Sequence, residues 1–181
     1  MISIYLSPRE KLVRSVCGGN IHQRLVTVSH ENKLVELSDL PFNLIADDVE
    51  IILNQRLWST KLNLCTEIKR AILFYLRSYH RNGERYYDCY TFVSMYKGLE
   101  RKDMNDVKEC WHTSSLPLII KPSSVVFFTD NRYGYFCHSA IYIGKGLYLS
   151  VNEPRGSLCF SSFRSIKRDY HAKNASLATV K

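Results

Sequence analysis

The feature that most constrains how this chain folds is a change of pattern near residue 122. Beyond Lys121-Pro122-Ser123-Ser124, the runs 125–129, 136–143 and 147–151 are built from β-branched and aromatic residues, side chains that suit a pleated, half-buried surface. Gly144-Lys145-Gly146 separates the last two runs, which predicts a hairpin. Ahead of that point apolar residues recur at helical spacing instead. Leu64, Ile68, Ala71, Ile72, Tyr75, Leu76 and Tyr79 make one stripe, predicting a helix over 64–79. The Asn82-Gly83 turn ends it. Next, Phe92, Val93 and Tyr96 share a face and Gly98 supplies a stop, so a second helix opens at or next to Cys89. The polar stretch 100–109 adds a short helix. Helices first and antiparallel strands afterwards is an α+β order.

Residues 1–60 read as a small mixed N-terminal lobe, and 61–181 as the main domain. Ser7-Pro8 opens a helix over 9–16 that Gly18-Gly19 stops. Strands over 24–28 and 33–37 flank a polar His30-Glu31-Asn32 turn. Asp47 and Asp48 stand where acidic residues favour a helix start, and Val49, Ile52, Leu53 and Leu57 follow at helical spacing.

Composition narrows the class. A chain of 181 residues with 45% hydrophobic and 23% charged residues builds a packed core and one ordinary domain. Collagen-like and disordered readings are excluded. No apolar run approaches the roughly 18 residues of a membrane span; that at 71–76 is closed by Arg70 and Arg77. The first ten residues lack the basic start and long apolar stretch of a secretory signal. The expectation is a protein that is cytoplasmic or secreted by a route without a signal peptide. Six cysteines, at 17, 65, 89, 110, 137 and 159, include no CxxC pair and read as reduced thiols. The net charge of +8 is spread without a dense run, and the tyrosines near Arg85 and Arg132 are scattered, so there is no strong nucleic-acid signal.

A cysteine in the first turn of a helix meets unpaired backbone N–H groups and the positive end of the helix dipole, which favour thiolate over thiol. Cys89 is therefore the candidate nucleophile, with Asp88 as helix cap. Acyl transfer by a thiolate also needs a base near neutral pH, which histidine supplies. Among the six histidines His138 stands out, opening the otherwise apolar strand Ser139-Ala140-Ile141-Tyr142-Ile143. A third group fixes the imidazole tautomer. With Ile143 and Leu147 flanking the Gly-Lys-Gly loop, Asn152 falls opposite His138 and Ser150 one diagonal step away; either serves as the orienting acceptor. Cys110, His112, Cys137 and His138 are ligand types, but Cys137 and His138 are strand neighbours and point to opposite faces unless a bulge intervenes. Neither a metal nor a cofactor is expected.

Three blocks, in order, carry a resemblance: Tyr87-Asp88-Cys89-Tyr90-Thr91-Phe92-Val93, then Lys121-Pro122-Ser123-Ser124-Val125-Val126-Phe127-Phe128, then His138-Ser139-Ala140-Ile141-Tyr142-Ile143-Gly144. Over roughly residues 75–152 the chain resembles the NlpC family of papain-like cysteine peptidases. That family has Asp-Cys-Ser-Gly-Phe at a helix start, a Pro-Gly-Asp-Leu strand start, and His-x-Gly-Ile-Tyr-x-Gly on the next strand. The resemblance implies a papain-like α+β domain with helices packed on an antiparallel sheet. It implies Cys89 as nucleophile, His138 as base, Ser150 where the family has its third member, and Tyr79 and Asp88 bordering the substrate. Tyr90-Thr91 and Ser123-Ser124 depart from the family pattern. The implied activity is a cysteine hydrolase cleaving an amide of a cell-wall peptide (peptidoglycan), with export as an effector acting on a host protein as a further expectation. Acyl transfer or deamidation on a protein partner, and a noncatalytic papain-like binding domain, are the alternatives.

Overall fold

The computed structural model describes residues 2–6, 26–30, 33–35, 45–54, 59–81, 88–99, 107–130, 135–152 and 157–181. The chain is α+β, mostly strands arranged in two sheets with helices packed on them. The expected helix over 9–16 lies outside the described residues.

The first sheet holds β1 (Ile2–Leu6), β2 (Val26–His30), β3 (Lys33–Val35), β4 (Val49–Asn54) and β5 (Ser59–Leu62), in the order β3-β2-β1-β4-β5. The expected hairpin is present, shifted so that His30 belongs to a strand and pairs with Lys33. The helix expected from Asp47 is not. Ala46–Asp48 make a single 3-10 turn, and β4 follows directly. Val49, Ile51 and Leu53 are all buried while Ile52 is only half-buried, the period of two that a strand imposes. The run Val49-Glu50-Ile51-Ile52-Leu53 satisfies both periods, and pairing decided between them: β4 lies parallel to β1, with Ile51 opposite Ile4, and antiparallel to β5.

Two helices follow. In α1 (Thr66–Arg81) the stripe Ile68, Ala71, Ile72, Tyr75 and Leu76 is buried as its spacing requires, and Leu64 just ahead of the helix is buried with it. The eight residues of α2 (Cys89–Tyr96) are buried except Met95, which is half-buried. A helix covered on every side sits inside the molecule; α2 packs between α1 and the second sheet. Its end is a Schellman closure, with Leu99 N–H on the Ser94 carbonyl and Gly98 N–H on that of Met95. Gly98 has φ +71, the left-handed geometry that motif requires. Of the stretch 100–109 the described part forms α3 (Val107–Cys110).

The second sheet is antiparallel throughout, in the order β10-β9-β8-β7-β11-β6. It comprises β6 (Trp111–Ser115), β7 (Ser124–Asp130), β8 (Phe136–Gly144), β9 (Leu147–Asn152), β10 (Ser157–Ser162) and β11 (Ala172–Val180), with α4 (Phe163–Asp169) between the last two. The three strand runs of the sequence are β7, β8 and β9. The rest was not legible: β11 reads Ala-Lys-Asn-Ala-Ser-Leu-Ala-Thr-Val, poor in β-branched and aromatic side chains. Its backbone groups are satisfied on both sides, by β7 and β6, and that pairing outweighs the weak local preference.

Each face of this sheet carries its own apolar cluster. One face holds Val125, Phe127, Ile141, Leu149, Val151, Leu158 and Phe160 beneath α2, in a cluster that also takes in Ile4, Val49, Ile51 and Leu53 of the first sheet and the α1 stripe. The first sheet therefore shares the core of the rest of the chain. The other face holds Val126, Phe128, Ala140 and Tyr148 with Ile166 of α4 and Ala172. Among the described residues no helix is long and apolar enough to cross a membrane.

Candidate functional site

The helix start at Cys89 is built locally. Asp88 has extended backbone geometry and its carboxylate accepts the Thr91 N–H at 2.7 Å, an N-cap that satisfies one of the orphan donors of the first turn. Cys89 follows as the first helical residue, 1% exposed within the α2 cluster. The Tyr90 ring meets Phe127 of β7 edge-on, centroids 5.7 Å apart, which holds this end of α2 over the sheet.

The β8–β9 hairpin has the expected register, with Ile141 opposite Leu149 and Tyr142 opposite Tyr148, and a bulge at the turn that pairs Gly144 with Leu147. Carried further, that register puts position 152 opposite 138 and 150 opposite 140. Alternation along β8 then sorts the side chains. Ile141 belongs to the cluster under α2, while Ala140 belongs to the cluster under α4. His138 has the parity of Ala140. Its ring stacks on Tyr170 with centroids 3.9 Å apart and lies 6.2 Å from the Phe128 ring. It is 0% exposed.

The expected partners are thus carried on different sides of the sheet: α2, with Cys89 at its start, on one face and the His138 imidazole on the other. The structure does not bring the thiol and the imidazole onto one face, which corrects the facing-helix arrangement drawn from the sequence. A signal for this was present. The side of the hairpin that carries His138, Ala140, Tyr142, Tyr148 and Ser150 is polar or small, whereas the side with Ile141, Leu149 and Val151 is apolar, and an all-round apolar helix such as α2 seeks the second.

Ser150 is buried on the His138 side, with its Cα opposite Cys159. Its Oγ has no hydrogen-bond partner among the described residues. Asn152 lies at the end of β9, paired with Ser157. The side chains of Asn152 and Tyr79 lie outside the described residues. Cys137 departs from expectation as well. A bulge in the β7–β8 ladder between Phe128 and Thr129 pairs Thr129 with Phe136, so Cys137 packs against the α4 cluster, on the same side as His138, rather than the opposite one. Its thiol donates to the Phe128 carbonyl at 3.4 Å, and burial pushes its pKa up. Among the described residues no three His, Cys, Asp or Glu side chains converge as a metal site would require.

Burial also dominates the tyrosines here. Tyr148, sandwiched by Phe128 and Phe163, has its phenol pushed up to about 12, first by desolvation and then by neighbouring Tyr142. The Tyr96 hydroxyl donates to the Ser123 carbonyl at 2.9 Å, and burial again raises its pKa. Sequence reasoning passed over two residues. Tyr170 supplies the ring that covers His138; it ends the short α4, whose start at Ser162, accepting the Ser165 N–H, was a readable cap. Cys65 is the exposed thiol among the described cysteines, its Sγ 3.5 Å from the Ser123 Oγ.

No protein-family model matches this chain, and no curated protein matches it.

Proposed function

We propose that this chain is a noncatalytic binding domain with the element order of papain-like peptidases, in which Cys89 and His138 serve the core instead of a reaction. One observation carries the reading: α2, which begins at Cys89, packs on one face of the second sheet, while the His138 ring stacks on Tyr170 on the other. A thiol-imidazole pair works only within hydrogen-bond reach, about 3 Å. Cys89 and His138 are moreover 1% and 0% exposed.

The cysteine hydrolase is the second reading, favoured by the Asp88 cap that sets Cys89 as the first residue of α2. In it the Cys89 thiolate attacks an amide of a peptide or of peptidoglycan, His138 passes the proton to the leaving nitrogen, and Asn152 or Ser150 orients the ring. Acyl transfer or deamidation on a protein partner uses the same groups. No cofactor enters either reading.

Iodoacetamide labelling against pH, followed site by site by mass spectrometry, separates the two. The binding reading expects Cys65 to label first, Cys89 only on unfolding, and no change at Cys89 in His138→Ala. Labelling of folded Cys89 well below the roughly pH 8.5 midpoint of a free thiol, lost in His138→Ala, overturns it in favour of the hydrolase.

A further inference from the structure

We infer that the solvent side of α4 is a docking ridge for the phosphate backbone of a nucleic acid duplex, bound without reading its sequence. The ridge is the outer side of the helix whose inner side covers His138. It therefore goes beyond both readings of Cys89 and His138 and depends on neither.

The helix gathers cations that the sequence leaves dispersed. On its inner side Ser165 and Ile166 are buried, Phe163 packs against the cluster beneath, and Tyr170, which closes the helix, stacks on His138. Side chains advance by about 100° per residue, so Arg164 and Arg168, at i and i+4, share the opposite side, and both are exposed. Lys167 stands on the shoulder, half-buried, with its ammonium 5.7 Å from the centre of the Phe163 ring. His171 and Lys173, both exposed, carry the chain from the end of α4 into β11.

Between 163 and 174 these four Lys and Arg side chains stand against a single carboxylate, that of Asp169. Arg168 donates to it from Nε at 3.0 Å and to the Ser165 Oγ from Nη2 at 3.3 Å. The arginine side chain nevertheless remains 69% exposed and the aspartate 19%, so the pair turns its positive end to solvent. Asp130, opposite Ala172 on the neighbouring strand, is half-buried.

The stability of α4 does not call for this row. Like charges at i, i+3 and i+4 repel, and Arg164, a cation in the first turn, opposes the helix dipole. Soluble surfaces intersperse both signs; an anion laid along the ridge relieves the repulsion. The guanidinium fork matches phosphate in a bidentate geometry. Arg164, Lys167 and Arg168 lie within about 6 Å of helix axis, a stretch that a few neighbouring phosphates of one strand cover. The exposed side chains between 163 and 174 include no apolar residue to enter an acyl layer, and His171 is the one ring among them on which an unpaired base could stack. These features favour the backbone of a duplex over a membrane or a single strand.

The test is fluorescence anisotropy of a labelled DNA duplex of mixed sequence, titrated with the full chain across a salt series. The parent is expected to bind with log K falling against log salt at a slope of about −3, from three phosphates at about −0.9 each. Arg164→Gln with Arg168→Gln is expected to bring the slope to about −1. Arg70→Gln with Lys145→Gln removes the same charge from exposed positions elsewhere and is expected to leave the slope near that of the parent. Unchanged thermal unfolding verifies the fold; if the Arg168 substitution unfolds the chain, Arg164→Glu alone carries the test, with the slope reduced by at least about one. Absence of duplex binding at low salt, or a control variant that lowers the slope as much as the ridge variant, overturns the inference. Displacement of the duplex by phosphatidylserine vesicles of equal anionic charge also overturns it and assigns the ridge to a membrane surface.

Discussion

The imidazole of His138 lies flat on the ring of Tyr170, centroids 3.9 Å apart and planes inclined by only 15°. That contact assigns the histidine to the face of the second sheet covered by α4, because Tyr170 is the residue that closes that helix. It also makes the C-terminal segment beyond β9, which carries no chemical motif of its own, the element that determines what a strand residue more than thirty positions earlier touches.

Removing the ring tests the weight of this contact. Tyr170 is half-buried, and an aromatic pair contributes about 0.5–1.5 kcal/mol beyond its area. Tyr170→Ala is expected to lower the unfolding free energy by about 2 kcal/mol, and Tyr170→Phe, which keeps the ring, to recover most of that loss. Urea denaturation at neutral pH measures both, and a neutral Tyr170→Ala would mean that the stack contributes nothing.

The Asp88 cap makes a second, local contribution. Asp88→Ala removes the acceptor of the Thr91 N–H and is expected to cost about 1 kcal/mol, whereas Asp88→Asn should stay within a few tenths. If both substitutions are equally destabilising in thermal unfolding, the carboxylate charge and not the cap is what matters there.

At alkaline pH the buried Tyr148 imposes a direction. Its ordinary value is 10.0, and the folded chain holds it at about 12. Between these values the folded protein keeps a proton that the unfolded chain has lost, so stability is intact below the lower value and falls as pH rises through the window. Tyr96, also raised by burial, acts with the same sign. Tyr148→Phe is expected to flatten the decline across pH 10 to 12, read as the difference between urea midpoints of parent and variant. Parallel pH profiles for the two proteins would exclude Tyr148 as its source.

Several features of the site were legible because they depend on neighbours in the chain. Asp88 before an apolar helix, with Gly98 after it, sets both ends of α2 through a side-chain acceptor and a left-handed residue. The glycine-flanked turn between β8 and β9 carries the register that places Tyr142 opposite Tyr148. Where a short apolar run satisfied two periods at once, as at 49–53, local pattern had no means to choose, and the pairing of β4 with β1 and β5 did.

What the amino-acid sequence by itself determined is therefore the three strand runs that form β7, β8 and β9, the starts and stops of α1 and α2, and which side chains of the β8–β9 hairpin share a side. Which of those sides receives α2 and which receives α4 was decided only in the tertiary structure. Alternation along a strand makes two faces without ranking them. The ranking comes from matching the apolar face of Ile141, Leu149 and Val151 to the fully buried α2, and from the return of the chain through α4 and β11 to cover the face that holds His138. Burial of apolar surface is non-directional and grows with the area removed from water, so it is settled between residues far apart in sequence.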